Sequence, residues 1–279
     1  MSQEISCKIC SSTKTELYKR NSNEFIICKN CGFLFIKDYP TLESYSSKFE
    51  QDFIMGPKEY LKAEHRRIYR IIGQLEFLSE IYEYKNPPAS ILDFGCGRGY
   101  FIDEARRHGY SVTGLEVSRS AIYYCNSIGI PVYKTLKDIP SKFDITVLYN
   151  SLVKTPNPLN AMNSIKDKLN DSGLVFIKVP YSSSKYWKLF QVTDYQFFKQ
   201  FYLQHFKLKS LKILLEKSGY EILHIGKDRS RKKFNRRMQH ISTTMFNKYF
   251  DLKIPLFEKY KKIFFDSIKK EISVVARKK

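Results

Sequence analysis

Residues 91–101 read ILDFGCGRGYF, and no other stretch limits the fold so closely. Apolar Ile91 and Leu92 run into Asp93, as at the end of a strand. Gly95, Gly97 and Gly99 follow at alternate positions, and a helical pattern opens at Tyr100. Glycine adopts the left-handed backbone of a sharp turn and lets a ligand approach the chain closely. The helix start behind the turn offers N–H groups without intrahelical partners. Strand, glycine turn and helix in that order predict a nucleotide-binding βα unit. The spacing is G-x-G-x-G, which differs from the G-x-G-x-x-G of dinucleotide enzymes.

The α/β alternation continues downstream. Strands are expected over Ser90–Phe94, Ser111–Glu116, near Val132, over Phe143–Tyr149, Leu174–Val179 and Tyr220–Ile225. Helices are expected over Phe101–His108, Ser120–Ile128, Leu159–Leu169 and Leu208–Ser218. Gly109 and Gly219 stand where helices should stop, and Asp171-Ser172-Gly173 reads as a turn before a strand. Such alternation predicts a mostly parallel, doubly wound sheet. The β-branched run Ile272–Ala276 predicts a last strand, paired antiparallel with Tyr220–Ile225. A helical insertion lies between those two, with a basic run from Arg229 to Arg237 and a helix from about Pro255 to Lys270. Ahead of the sheet, apolar residues from about Tyr60 to Tyr84 recur at helical spacing.

The N-terminal segment has its own signature. Cys7-x2-Cys10 is followed, after seventeen residues, by Cys28-x2-Cys31-Gly32. Each pair closes a tight turn that aims two thiolates at one ion, and Gly32 relieves the second turn. Four thiolates complete a tetrahedron, so a zinc held here is structural. About 40 residues make too small a core to fold alone, so metal binding is expected to drive folding. The domain expectation is therefore a zinc ribbon over 1–40, a connector and leading helix over 41–89, and the nucleotide-binding domain over 90–279.

No run of about 18 apolar residues is present, and the N-terminus lacks a basic-then-apolar leader pattern. A cytoplasmic setting is expected, where six cysteines are thiols or metal ligands rather than disulfides. The formal charge is +20, and residues 227–279 carry 17 Lys/Arg against 5 Asp/Glu. That field favours anionic partners: phosphorylated substrates, nucleic acid or acidic lipid at a peripheral membrane contact. The insertion is either a solvated face or a surface for a nucleotide diphosphate, a lipid-linked glycan or RNA.

With an acid two places before the first glycine, the turn resembles that of the class I S-adenosylmethionine (SAM) methyltransferases. The stretch FDITVLYNSLVKTPNPLNAM, then LNDSGLVFIKVP and HFKLKSLKILLEKSGYEI, is similar to later strands and helices of the small-molecule members. A C-x2-C…C-x2-CG ribbon joined to such a domain resembles the branch found among sugar- and polysaccharide-modifying genes. The resemblance implies a seven-stranded Rossmann-like sheet with SAM over Gly95, Cys96, Gly97 and Gly99. It implies that Asp93 helps hold the methionine amino group. Glu116, seventeen residues beyond Gly99 and next to Val117, is near the spacing expected of an acid that accepts from ribose hydroxyls.

The resemblance breaks where a base is expected: Val153-Lys154 stands at the family's Glu-His pair, and Tyr181 where Asn is usual. A hydroxyl acceptor needs a base. His205, Tyr181 and Lys154 are the candidates, with Asn150 positioning the acceptor. Trp187 and the aromatic residues around it either stack on a sugar ring or form the core of a lid. The implied function is methyl transfer to a small molecule, a nucleotide-activated or glycan-bound sugar. The alternatives are an RNA methyltransferase and a non-catalytic SAM-binding partner protein.

Overall fold

A computed structural model describes residues 5–20, 23–41, 44, 50, 73–180, 202–227 and 271–279. Tyr181, Trp187, the aromatic residues near it, the basic run at 229–237 and the expected helix at 255–270 lie outside the described residues. So do most of the connector and the first part of the leading helix, whose described turns, 73–82, are called α1 here.

The main sheet has seven strands. Its parallel strands are β4 (Ser90–Phe94), β5 (Ser111–Leu115), β6 (Val132–Tyr133), β7 (Phe143–Tyr149) and β8 (Leu169–Pro180). The antiparallel strand β11 (Glu271–Lys278) lies between β8 and the edge strand β10 (Tyr220–Lys227). The order is β10-β11-β8-β7-β4-β5-β6. From β4 the chain winds outward through β5 and β6, then returns to the other side of β4 with β7. The reversal opens a crevice between the carboxyl ends of β4 and β7, the place where such sheets bind ligands.

Helices α2 (Tyr100–Arg107), α3 (Arg119–Ser127), α4 (Pro158–Asp167) and α5 (Leu208–Lys217) follow their strands. Local chemistry sets their ends. Ser118 and Asn157 cap α3 and α4 through their side chains, and Pro158 sits in the first turn of α4. Gly109 and Gly219 take φ of +90° and +74° just past α2 and α5. One face of the sheet packs on α1 and α2 through Phe77, Leu78, Ile81, Phe101, Ile91 and Phe176. The other packs on α4 and α5 through Met162, Ile165, Leu211, Leu214, Ile177 and Val274.

Two local expectations change. Asp171-Ser172-Gly173 does not precede a strand. It is an excursion within β8, where pairing with β7 slips between Phe143 and Ile145 and Ser172 takes φ +58°. The second strand stops at Leu115, because the Leu115 carbonyl accepts from the Gly95 and Cys96 N–H groups of the glycine turn.

The N-terminal residues form β1 (Thr15–Arg20), β2 (Asn23–Cys28) and β3 (Leu34–Ile36). Their sheet gains a fourth strand from the main chain, β9 (Gln204–His205), with Leu34 opposite His205 and Phe35 opposite Gln204. Cys7, Ile9, Phe33 and Phe35 share a continuous core with Val153, Phe206 and Leu211. The Phe33 and Phe206 rings lie 5.1 Å apart. The four-cysteine segment is thus built into the side of the larger domain.

Candidate functional site

The glycine turn leaves the carboxyl end of β4 with Gly95, Gly97 and Gly99 at φ +80°, +56° and +69°. L side chains avoid these values. At Gly95 an added Cβ would lie 2.7 Å from the Ser151 Cβ, so the turn sits directly against the loop after β7. At Gly97 an added Cβ would meet nothing within 4 Å among the described residues. Among those residues the space over Gly97 is therefore open.

Carboxylates flank that space. Glu116 folds over the turn, its Oε2 accepting from Gly97 N–H at 2.8 Å. Its Oε1 accepts from Val117 N–H at 2.7 Å and Ser118 N–H at 3.0 Å. A carboxylate offers about four acceptor positions, so one remains for a ligand donor. Asp93 is only 3 % exposed. Burial, with the charge of Glu116 beside it, pushes its carboxyl up to about 8. Below that pH it holds a proton until a cation arrives to favour its charged form.

Across the crevice, Asn150 takes φ +57° and its N–H donates to the Lys178 carbonyl at 2.9 Å. The Asn150 Oδ1 and the Ser151 Oγ, both enclosed, have no hydrogen-bond partner among the described residues. The sequence reading missed Ser151, because its proximity to Gly95 depends on β7 lying beside β4. It also missed a buried ion pair beneath α1. Lys178, 2 % exposed on β8, reaches Glu80 Oε2 at 3.3 Å and lies 4.9 Å from the centre of the Phe77 ring. The Ser273 hydroxyl donates to the other Glu80 oxygen. Lys178 was legible as a lone cation within the apolar run VFIKVP.

Lys154 is half-buried on the 3-10 turn Leu152–Lys154, which follows the crevice loop. His205 lies on β9, in the smaller sheet. It is 1 % exposed, and burial pulls its imidazole down to about 3. It is therefore neutral at physiological pH and enclosed beside Tyr202, whose ring centre lies 6.0 Å away. The turn residues, Asp93, Glu116 and Val117 come together at one crevice; His205 belongs to a different layer.

The four cysteines also come together. Their sulfurs all lie within 4.8 Å of one another. Cys7 and Cys31 stand 3.6 Å apart, and Cys10 and Cys28 3.5 Å. A zinc tetrahedron with bonds of about 2.3 Å has sulfur–sulfur edges of about 3.8 Å, so the set fits such an ion. Hydrogen bonding from Cys31 holds the Cys7 thiol down at about 5, while the same pairing pushes Cys31 up. Gly32, at φ +73°, carries the second knuckle past the Lys207 side chain, whose Cδ would lie 2.5 Å from an added Cβ.

Sheet order, glycine turn and strand-end acid together define the class I methyltransferase architecture. A model of the methyltransferase domain matches residues 63–225, and the chain belongs to that family. Its fold is that of the class I SAM-dependent methyltransferases. A curated relative, the ubiquinone biosynthesis O-methyltransferase of Glaesserella parasuis serovar 5 (strain SH0165), is 28 % identical over 114 residues. That match covers 36 % of this chain and 48 % of the relative's length. Solved structures share the fold. A SAM-dependent methyltransferase from Thermotoga maritima aligns with a TM-score of 0.51 at 15 % identity, over 84 % of this chain and all (100 %) of the other. The plantazolicin methyltransferase BamL, solved with a triazolic desmethylPZN analogue and S-adenosylhomocysteine (SAH), gives 0.52 at 17 %, over 85 % and 97 %. A chain from the Haloferax volcanii complex of the Trm112 methyltransferase activator with a methyltransferase gives 0.53 at 11 %, over 80 % and 98 %. Among the described residues no helix is long and apolar enough to cross a membrane.

Proposed function

We propose that SAM lies across Gly95–Gly99 with its ribose on Glu116, and that the methyl group passes to a small-molecule acceptor, a nucleotide-activated or glycan-bound sugar. The observation that carries the cofactor placement is the open space over Gly97, floored by bare backbone and edged by the Glu116 carboxylate. Gly95, Cys96, Gly97 and Gly99 form the floor, and Val117 follows the ribose acid. SAM supplies an activated methyl group on a sulfonium, so alignment is the main task left to the protein. Asp93 receives the cofactor's amino group and gives up its own proton as that cation arrives. Asn150 Oδ1 and Ser151 Oγ, without partners among the described residues, are further groups that a bound ligand can satisfy.

The acceptor enters beside the loop after β7, where Asn150 orients it. Lys154, Tyr181 and His205 remain the candidate bases, and Lys154 stands nearest that loop in sequence. His205 acts as a base only after escaping its enclosure. The sugar rests on the family resemblance of the ribbon-bearing branch, and the anionic acceptor on the basic charge of the chain. Cys7, Cys10, Cys28 and Cys31 hold one structural zinc, on the strength of their sulfur spacing.

Calorimetry tests the cofactor placement. SAM and SAH bind the wild type, and Glu116→Ala weakens both; unchanged affinity removes the ribose assignment. Transfer of labelled methyl into nucleotide sugars, glycans and total RNA tests the acceptor. Label in RNA alone would replace the sugar reading, and binding without turnover on any of them would favour a non-catalytic partner role.

A further inference from the structure

Gln204 occupies an unusual position between the two sheets. It is fully buried, and each polar atom of its amide has a partner across an element boundary. Its Nε2 donates to the carbonyls of Leu152 and Thr155, both at 2.7 Å. Its Oε1 accepts from the Tyr39 hydroxyl at 3.2 Å. The backbone beside it repeats the bridge. Leu203 N–H donates to the Val153 carbonyl at 2.9 Å, and the Leu203 carbonyl accepts from Ile36 N–H at 2.8 Å. One strand therefore holds β3 of the cysteine lobe on one side and the 152–155 turn on the other. Immediately before that turn, Ser151 presses on Gly95 at the floor of the cofactor crevice.

We propose that Gln204 is a positioning residue through which the metal-loaded cysteine lobe sets the crevice loop against the glycine turn, so that metal and cofactor bind with positive coupling. The proposal rests on the cofactor and zinc placements given above. The lobe leans on the larger domain through Phe33 and Phe35. Its two knuckles, however, are joined through the metal, and metal binding contributes to the folding of such a segment, so β3 loosens without it. Losing β3 removes the partner of β9 and frees the Gln204 amide, and with it the 152–155 turn. Ordering that turn is then a cost the cofactor must bear itself. A ligand that binds after another has already ordered their shared element binds more tightly. Linkage makes the effect reciprocal: the cofactor tightens zinc by the factor by which zinc tightens the cofactor.

Competition for zinc against a chromogenic chelator, with and without saturating SAH, reads this directly on the full chain. In the wild type SAH strengthens zinc retention about five- to tenfold, within the usual range for coupled sites. Gln204→Leu reduces the factor to less than about twofold, while zinc and SAH each still bind. Should Gln204→Leu fold poorly, Tyr39→Phe removes only the lobe-side hydrogen bond, leaves the bonds to Leu152 and Thr155, and lowers the factor in the same direction. A factor unchanged in both variants, or a wild type in which SAH leaves zinc retention as it was, overturns the proposal alone. Zinc-free protein as purified overturns it together with the four-cysteine placement, and an absence of SAH binding overturns it together with the cofactor placement.

Discussion

Replacing Gly97 by alanine separates the needs of the fold from the needs of the ligand. The residue sits at φ +56°, so an alanine there costs about 1–2 kcal/mol of backbone strain. Its Cβ meets no atom of the described residues within 4 Å, so no packing penalty follows from them. For a domain of this size the melting temperature should fall by only about 2–8 °C. The new methyl group projects into the open space assigned to the cofactor. SAH affinity should therefore fall by about tenfold or more, roughly 1.4 kcal/mol. Gly95→Ala is the control. It carries the same kind of backbone strain, and its Cβ stands 2.7 Å from the Ser151 Cβ. Overpacking of that kind adds about 1–3 kcal/mol, so Gly95→Ala should melt well below Gly97→Ala. Differential scanning fluorimetry and calorimetry with SAH measure both quantities. A Gly97→Ala protein that binds SAH as tightly as the wild type refutes the reasoning, because the space over the turn would then hold something else.

Metal analysis should find one zinc per chain in the wild type and none after Cys28→Ser; a folded, metal-free wild type would contradict the tetrathiolate site. Asp93 has its folded pKa raised to about 8, so its stabilising contribution is complete below the unfolded value and declines as pH rises through 8. Asp93→Asn should accordingly gain stability relative to the wild type between pH 6 and about 8, and equal pH slopes in melting experiments would show that Asp93 is already charged. Because the cofactor's ammonium favours the ionised carboxylate, SAH binding near pH 7 should release a proton. Calorimetry in buffers of different ionisation enthalpy detects that proton, and a buffer-independent enthalpy counts against the Asp93 contact. Removing Glu80 from the buried pair should be costly: Glu80→Ala takes this carboxylate from beside the enclosed Lys178 ammonium, with an expected loss of about 1–3 kcal/mol in denaturant unfolding. Glu80→Ala paired with Lys178→Met should recover much of that loss, and a double variant no better than the single one would place the cost elsewhere.

Periodicity and punctuation carried most of the fold. The strand–turn–helix unit, the order of later strands and helices, and the antiparallel pairing of the last strand were legible because each depends on a local residue pattern. The doubled C-x2-C spacing likewise announced a cluster whose sulfurs do converge. The acid after β5 was legible from its distance along the chain, yet its grip on the Gly97, Val117 and Ser118 N–H groups was not. That arrangement depends on β5 lying parallel to β4 in one particular register. Asp171-Ser172-Gly173 misled because turn residues serve equally well in a bulge, and only pairing with β7 distinguishes the two.

The sequence by itself determined the class of sheet, the glycine turn and the cysteine cluster, since backbone stereochemistry and ligand chemistry act over a few neighbouring residues. Tertiary structure alone decided that Ser151 abuts Gly95, that Lys178 pairs with Glu80, and that Gln204 joins the cysteine lobe to the crevice. Those partners are up to 165 positions apart, as for Tyr39 and Gln204, and become neighbours only through strand order. Sidedness and strand neighbourhood are set by how the whole core packs, so no local residue pattern encodes them.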